Sequence, residues 1–245
     1  MTEAVSAAEA QPGTLAELFC TGEAAARHRD LLARAAVAGV SVTAVSAEVL
    51  ATLAGTVTPQ GLVGVAAFRD VPSAAALAGA PALVVVLAAV RDPGNAGTVL
   101  RAADAAGADA VLFTDTSVDP YNGKCVRASA GSLFHLPFSV GLPPAAAVSA
   151  LRAAGLRVLA AEGTAASDLD TVADAGELAG PTGWLFGNEA WGLPPDLLAF
   201  ADRAVRVPIH GRAESLNLAA AAAVCLYASA RAQRRPGGCR APTGS

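Results

Sequence analysis

The run ALVVVLAAV at residues 82–90 constrains this chain more than any other stretch. It is apolar without interruption and rich in valine. Such a run suits a parallel strand covered on both faces; a half-solvated strand would alternate. A parallel neighbour is reached only through a crossover, so helices must follow the strands. The spacing of apolar residues supplies them. It predicts a helix over 95–106, a strand over 110–114, helices near 123–131 and 144–154, and a strand over 156–160. A strand at 183–186, a short helix at 195–201, a strand at 204–207 and a last helix from 216 to about 234 follow. Regular alternation of this kind predicts an α/β fold with a parallel sheet flanked by helices.

Residues 1–70 form a smaller α/β unit. A strand is expected at 15–20, a helix at 22–38, a half-buried strand at 40–45, a helix at 46–54 capped by Ser46, a turn at 58–61 and a strand at 62–68. Residues 1–13 are expected to be frayed, 71–81 to be a linker, 82–235 to form the main domain and 236–245 to be a disordered tail. Residues 71–90 carry no charge and match a bilayer in length. Pro72, Gly79 and Pro81 interrupt them, so a linker entering a buried strand is expected instead. The N-terminus has no basic region followed by an apolar one, which argues against a signal peptide and for a cytoplasmic protein. Cys20, Cys125, Cys225 and Cys239 form no CxxC pair and have no histidine at ligand spacing, so reduced thiols and no metal are expected. A net charge of −4 excludes indiscriminate nucleic-acid binding but leaves room for a local basic patch.

Residues 183–218 hold two short apolar runs, 184–186 and 204–209, each ending in a glycine-containing turn. The turns carry residues a core would reject: Asn188 and Glu189 in the first, then Arg212, Glu214, Ser215 and Asn217 in the second. A strand, a glycine turn and then a helix is how open α/β sheets build ligand crevices. Two such turns this close in sequence are expected to face one pocket.

The motifs GNEAWGLP (187–194) and VPIHGRAESLNLAAA (207–221) resemble the second and third motifs of the SpoU (TrmH-type) RNA ribose 2′-O-methyltransferases, in the SPOUT superfamily. RDPGNAGTVLRAADAAG (91–107) resembles the first. The resemblance implies a C-terminal SPOUT domain whose chain is tied in a trefoil knot, a bent S-adenosyl-L-methionine held by the knot loops, and a homodimer. It implies no metal. Residues 1–70, with TPQGLVGV at 58–65, resemble the family's ribosomal-protein-like substrate-binding domain without its usual start of a basic helix and a first strand. The implied activity is methyl transfer to a ribose 2′-hydroxyl in RNA, with ribosomal RNA favoured by the N-terminal domain. A tRNA methyltransferase and a non-catalytic RNA-binding or ribosome-assembly protein are the alternatives. No GxGxxG or GxxxxGK[ST] supports a dinucleotide or P-loop enzyme.

Carried onto this sequence, the motifs imply catalytic roles for Asn95, Arg101, Glu189, Ser215 and Asn217. They imply cofactor contacts from Leu185, Phe186, Gly187, Val207, Pro208, Ile209, Ser215, Leu216 and Leu218. Each residue also has a plainer reading. Asn95 could cap the first-motif helix and Ser215 the last helix. Arg101 could pair with Asp104 at i+3, worth about 0.2–0.5 kcal/mol. Glu189 could be a solvated loop acid. A guanidinium rarely gives up its proton, so a clamp on a phosphate or developing alkoxide is a more natural role for Arg101 than general base. Arg91, Lys124 and Arg127 are either an RNA-facing patch or a solvated face. His28, His135 and His210 are each isolated and are not expected to be catalytic.

Overall fold

A computed structural model describes residues 1–56 and 59–240. The expected turn at 58–61 therefore lies partly outside the described residues, as does the tail beyond Arg240. The chain divides into two units, Met1–Arg69 and Asp70–Ser245.

The first unit runs α1 (Thr2–Ala10), β1 (Leu15–Cys20), α2 (Gly22–Arg27), α3 (Arg29–Val37), β2 (Ser41–Ala44), α4 (Ala47–Ala54) and β3 (Leu62–Ala66). Its sheet has the order β2-β1-β3, with β2 parallel and β3 antiparallel to β1. Residues 2–10 are helical, not frayed, because Ala4, Val5 and Ala8 form an apolar stripe that is buried. Glu9 also fixes α1 to α3 through a two-pronged pair with Arg34, at 2.8 Å to Nε and 2.7 Å to the second nitrogen. The helix expected over 22–38 breaks at His28, whose φ of −117° and ψ of 36° leave the helical region. The strand expected to be half-buried has all four β2 residues exposed. Its alternation is real, but β2 is an edge strand of small side chains. Ser46 does cap α4, accepting from the Val49 N–H at 3.3 Å.

The second unit begins with α5 (Ser73–Ala76), β4 (Leu83–Leu87), α6 (Pro93–Ala106), β5 (Ala110–Thr114), α7 (Gly123–Ala128) and β6 (Phe138–Leu142). It continues with α8 (Pro144–Ala153), β7 (Arg157–Ala161), β8 (Ser167–Asp168), α9 (Leu169–Asp174), β9 (Thr182–Phe186), α10 (Pro195–Leu198), β10 (Arg203–Arg206) and α11 (Leu218–Gln233). Seven strands pair in the order β6-β5-β4-β9-β7-β10-β8, all parallel. Every residue of β4, β5 and β9 is buried. Alternate residues feed two cores. Leu83, Val85, Leu87, Trp184 and Phe186 pack with α6, α9 and α11, while Val84, Val86 and Leu185 pack with α5, α8 and α10. This double coverage is why residues 82–90 can dispense with polar alternation.

Residues 71–81 are not a free linker. Ala76 and Leu77 are buried in the second core, and the Val71 N–H donates to the Phe138 carbonyl at 2.9 Å. Residues 236–240, the described part of the expected disordered tail, are held by contacts. Gly237, at φ 87°, turns the chain back. The Cys239 N–H then reaches the Ala179 carbonyl at 3.0 Å, and Arg240 pairs with Asp109. Asp109 already accepts from the N–H groups of Ala82 at 2.7 Å and Leu83 at 2.9 Å, so its charge sits at the start of β4 and is matched by Arg240.

Where α6 crosses α7, Gly97 leaves no room for a side chain. A Cβ there would lie 2.3 Å from the Cys125 carbonyl oxygen and 2.7 Å from the Ala128 Cβ. Gly97→Ala should lower stability despite the roughly 1 kcal/mol that alanine adds to helix propensity. Overpacking against a fixed backbone costs about 1–3 kcal/mol. Denaturant unfolding measures the sum; a variant as stable as the parent would refute the close crossing.

Candidate active site

Three turns at the carboxyl ends of the strands meet at one place. The first follows β4. Ala89 adopts a left-handed φ of 58°, which costs a non-glycine residue about 1–2 kcal/mol. Its N–H reaches Thr114 Oγ1 at 3.3 Å, and its carbonyl accepts from Asn188 Nδ2 at 2.8 Å. Asn188 belongs to the second turn, after β9. It is buried, accepts from the Ala190 N–H at 2.8 Å, and pairs with Gly192 through two backbone hydrogen bonds of 2.9 Å. Gly187 must be glycine, because a Cβ would lie 2.4 Å from the Gly192 carbonyl carbon. Asn188 therefore fastens two turns together. Sequence reasoning noted it as a polar turn residue without giving it a role.

Asp92, not Asn95, caps α6: its Oδ1 accepts from the Asn95 N–H at 2.7 Å, and Pro93 takes the first helical position. The Asn95 side chain is thereby left free. Its Nδ2 donates to Glu189 Oε1 at 3.0 Å, and its Oδ1 accepts from Asn217 Nδ2, also at 3.0 Å. Asn217, not Ser215, caps α11, accepting from the Ala219 N–H at 2.9 Å. One chain of hydrogen bonds thus links Glu189, Asn95, Asn217 and the start of α11. It joins all three motifs. Ser215 is exposed and lies outside this chain.

Arg101 does not join it either. Six residues on a helix of 3.6 residues per turn put it about 120° round from Asn95. Arg101 is exposed, and Asp104 pairs with His135 at 2.7 Å instead.

A cavity of about 410 Å³ opens beside Glu189. Phe186, Gly187, Val207, Ile209, Ser215, Leu216 and Leu218 line it. Of the other residues expected to touch a cofactor, Leu185 points its side chain into the opposite core, and Pro208 is not part of the lining. Glu162 also lines the cavity and was missed. Its Oε1 accepts from the Thr164 N–H at 3.2 Å and Oγ1 at 3.0 Å. The available signal was an acid directly after the apolar run of β7, the same pattern that drew attention to Glu189.

The cations differ in their engagement. Lys124 Nζ pairs with Asp92 at 2.6 Å, and the Arg91 guanidinium lies 5.9 Å from the Trp191 ring centre. Arg127 is exposed with no acidic partner among the described residues. Burial pushes the thiols of Cys125 and Cys225 up to about 12, so both stay protonated at neutral pH. No group of three or more His, Cys, Asp and Glu among the described residues could hold a metal.

The hydrogen bond from Lys124, helped by the Asn95 backbone N–H, holds the Asp92 carboxyl below the ordinary aspartate range. A depressed carboxylate stabilises the fold above its unfolded value, and that contribution is lost as pH falls through the folded value. Asp92→Ala should therefore cost about 1 kcal/mol at pH 7, the usual worth of such a cap. The deficit should fade once the medium is acidified below about pH 3.9, the ordinary aspartate value. Urea titrations of both proteins across that range test it; a deficit independent of pH would assign the loss to packing.

The SpoU rRNA Methylase family matches residues 82–227, and the RNA 2′-O ribose methyltransferase substrate binding family matches residues 2–71. The chain is 37% identical over 191 residues to the 23S rRNA (guanosine(2553)-2′-O)-methyltransferase RlmP of Bacillus subtilis, covering 77% of this chain and 72% of that protein. It is 32% identical over 209 residues, 84% of either chain, to the 23S rRNA (guanosine-2′-O-)-methyltransferase RlmB of Bordetella pertussis. The crystal structure of the SpoU methyltransferase AviRb from Streptomyces viridochromogenes, in complex with the cofactor AdoMet, is similar with a TM-score of 0.77 and 28% identity, covering 94% of this chain and 88% of that one. On the match over residues 82–227 and on these relatives, the chain belongs to the SpoU rRNA methylase family.

Proposed function

We propose that this protein uses S-adenosylmethionine to methylate a ribose 2′-hydroxyl in 23S ribosomal RNA. The observation that carries the reading is the hydrogen-bonded chain Glu189–Asn95–Asn217, of which Glu189 lines the cavity. It joins the three motif turns beside a space suited to the cofactor. Phe186, Val207, Ile209, Leu216 and Leu218 offer the apolar wall that an adenine needs. Glu162, Glu189 and Glu214 put carboxylates on the same lining, where a sulfonium and an ammonium would gain from them. The residues present fit the group.

When bound, S-adenosylmethionine supplies an electrophilic methyl group. The chain's own residues orient the acceptor. Glu189 Oε1 fixes the Asn95 amide, and Asn217 fixes its carbonyl end, so neither can rotate without breaking a bond. Effective orientation is worth several kcal/mol, up to about 7–11 in the best cases. Arg101 stands exposed further along α6 and contributes a permanent cation to a phosphate or a developing alkoxide. Arg91 and Arg127 extend the basic surface that meets RNA, and Lys124 joins it only if RNA draws it away from Asp92.

The reading includes a trefoil knot and a homodimer. The order in which β9 lies between β4 and β7, and β10 between β7 and β8, supports a threaded C-terminal segment. Light scattering on the full chain tests the dimer, and a monomer mass would refuse it. No helix among the described residues is long and apolar enough to cross a membrane. The reading includes a cytoplasmic location, which a ribosomal RNA target supports.

Titration calorimetry with S-adenosylmethionine and its demethylated product, followed by tritium transfer to 23S RNA, tests the activity. Arg101→Ala should lose about 10²–10³ in turnover, the usual cost of one electrostatic stabiliser, with cofactor affinity nearly intact. Asn217→Asp keeps the capping oxygen but replaces the donor to Asn95 with a carboxylate. It should melt as the parent does while losing roughly 100-fold in turnover. Full activity in either variant would remove that residue from the mechanism. Cofactor binding without transfer to any RNA would leave an RNA-binding protein of the same fold.

A further inference from the structure

The two tryptophans of the chain have opposite fates. Trp184 is wholly buried, and its indole N–H donates to Ser229 Oγ at 2.9 Å. Trp191 is 60% exposed, although it stands in the tightly fastened turn that carries Glu189. Exposure of the largest apolar side chain forgoes the burial energy it could have gained. The turn itself is not loose. The paired backbone bonds between Asn188 and Gly192 and the side-chain bond from Asn188 to Ala89 hold its base. The indole is therefore presented on a fixed support.

Its surroundings have a direction. The Arg91 guanidinium lies 5.9 Å from the Trp191 ring centre, within range of a cation–π interaction. Arg91 belongs to the turn before Asn95, and Trp191 follows Glu189 by two residues. The pair therefore bridges the same two turns as the Asn95–Glu189 hydrogen bond, and Trp191 lines the rim of the cavity. An exposed aromatic ring next to a guanidinium is what unpaired RNA bases use: they stack on aromatic faces and on arginine planes. Stacking tolerates any base, because every base has a π-face.

We propose that Trp191, braced by Arg91, is a stacking platform for an unpaired base of the RNA substrate, and that it positions the adjoining ribose at the Glu189–Asn95–Asn217 cluster. The substrate class that follows is a nucleotide in a loop, bulge or opened strand, not one held in a continuous duplex. This inference rests on the methyltransferase reading. Trp191 is a positioning residue here and takes no part in the methyl transfer.

The test uses the exposed indole as its own reporter. A single-stranded RNA 12-mer of mixed sequence and a blunt RNA duplex of equal length are titrated into the full chain. Tryptophan emission and the anisotropy of an end label on the RNA are followed together. The single strand should quench the emission and the duplex should not. Trp191→Leu should abolish the quench and weaken single-strand binding about tenfold, in line with the loss of one stacked base. Trp191→Phe should restore most of that affinity, which a merely structural role would not predict. Binding by anisotropy without quenching overturns the platform. So does a Trp191→Leu variant that binds as the parent does, or one whose lost affinity comes with a lowered melting temperature and is not rescued by phenylalanine. If the parent chain binds neither RNA, the platform is overturned, while the methyltransferase reading is decided separately by the cofactor titration and by transfer to 23S RNA.

Discussion

The rest of the site depends on the register between β4 and β9. Leu87 lies opposite Phe186 at the ends of the two strands. The strands come from sequence positions about a hundred residues apart, yet the turns that follow them start side by side. That is why Asn188 can reach the Ala89 carbonyl and why Asn95 can reach Glu189. A slip of one residue would exchange the two cores and rotate Phe186 away from the cavity. The unbroken burial on both faces makes such a slip costly at every position of three strands at once.

Close packing at that junction demands unusual backbone. Ala89 sits at a positive φ with a methyl group it would do better without. Its carbonyl and amide are both held by side chains, from Asn188 and Thr114. Gly187 answers the opposite need, since any side chain would strike Gly192. Strain of this sort persists only where surrounding contacts over-determine the conformation. Here they do so within a few residues of Glu189, so the acid is carried on a support stiffer than an ordinary loop. Asn217 shows the same economy. Its Oδ1 satisfies α11, its Nδ2 satisfies Asn95, and the two demands fix one rotamer.

Much of this was legible in the sequence, and the misreadings have physical causes. The strands at 15–20 and 110–114 fall where the apolar pattern put them. Ser46 was recognisable as a cap because no rival precedes it. In Asp92-Pro93-Gly94-Asn95 two rivals exist, and the deciding signal was the proline, which favours the first helical position and so points back to Asp92. Ser215 and Asn217 compete in the same way, and no proline arbitrates. Both ends of the chain were judged loose from composition. Among the described residues, α1 is held by Arg34 and Arg240 by Asp109, partners far away in sequence that a local pattern cannot show. Short pieces such as β8 carry too few residues to show a period. The three polar residues that meet were all nameable beforehand. That they touch, and that Arg101 stands apart, depends on helix phase and strand register.

The acidic net charge stands against an RNA substrate, and the placement of ion pairs lessens the conflict. Arg34, Arg152, Arg157, Arg203, Arg206 and Arg240 are each matched to a carboxylate. Those pairs serve the fold and offer little to a phosphate. Arg91, Arg101, Arg127 and Arg212 have no acidic partner among the described residues, and all four belong to the motif turns or to the two helices α6 and α7 beside them. Arg29, Arg231, Arg234 and Arg235 also lack an acidic partner among the described residues, so the free cations are few and about half of them lie at the motifs. A chain with few free cations releases few counterions on binding, so the electrostatic share of its affinity is limited. Under the proposed function the remainder has to come from shape and stacking around one nucleotide. That division suits an enzyme that must select one ribose among the many in a ribosomal RNA, because phosphate contacts position a protein without telling one nucleotide from the next.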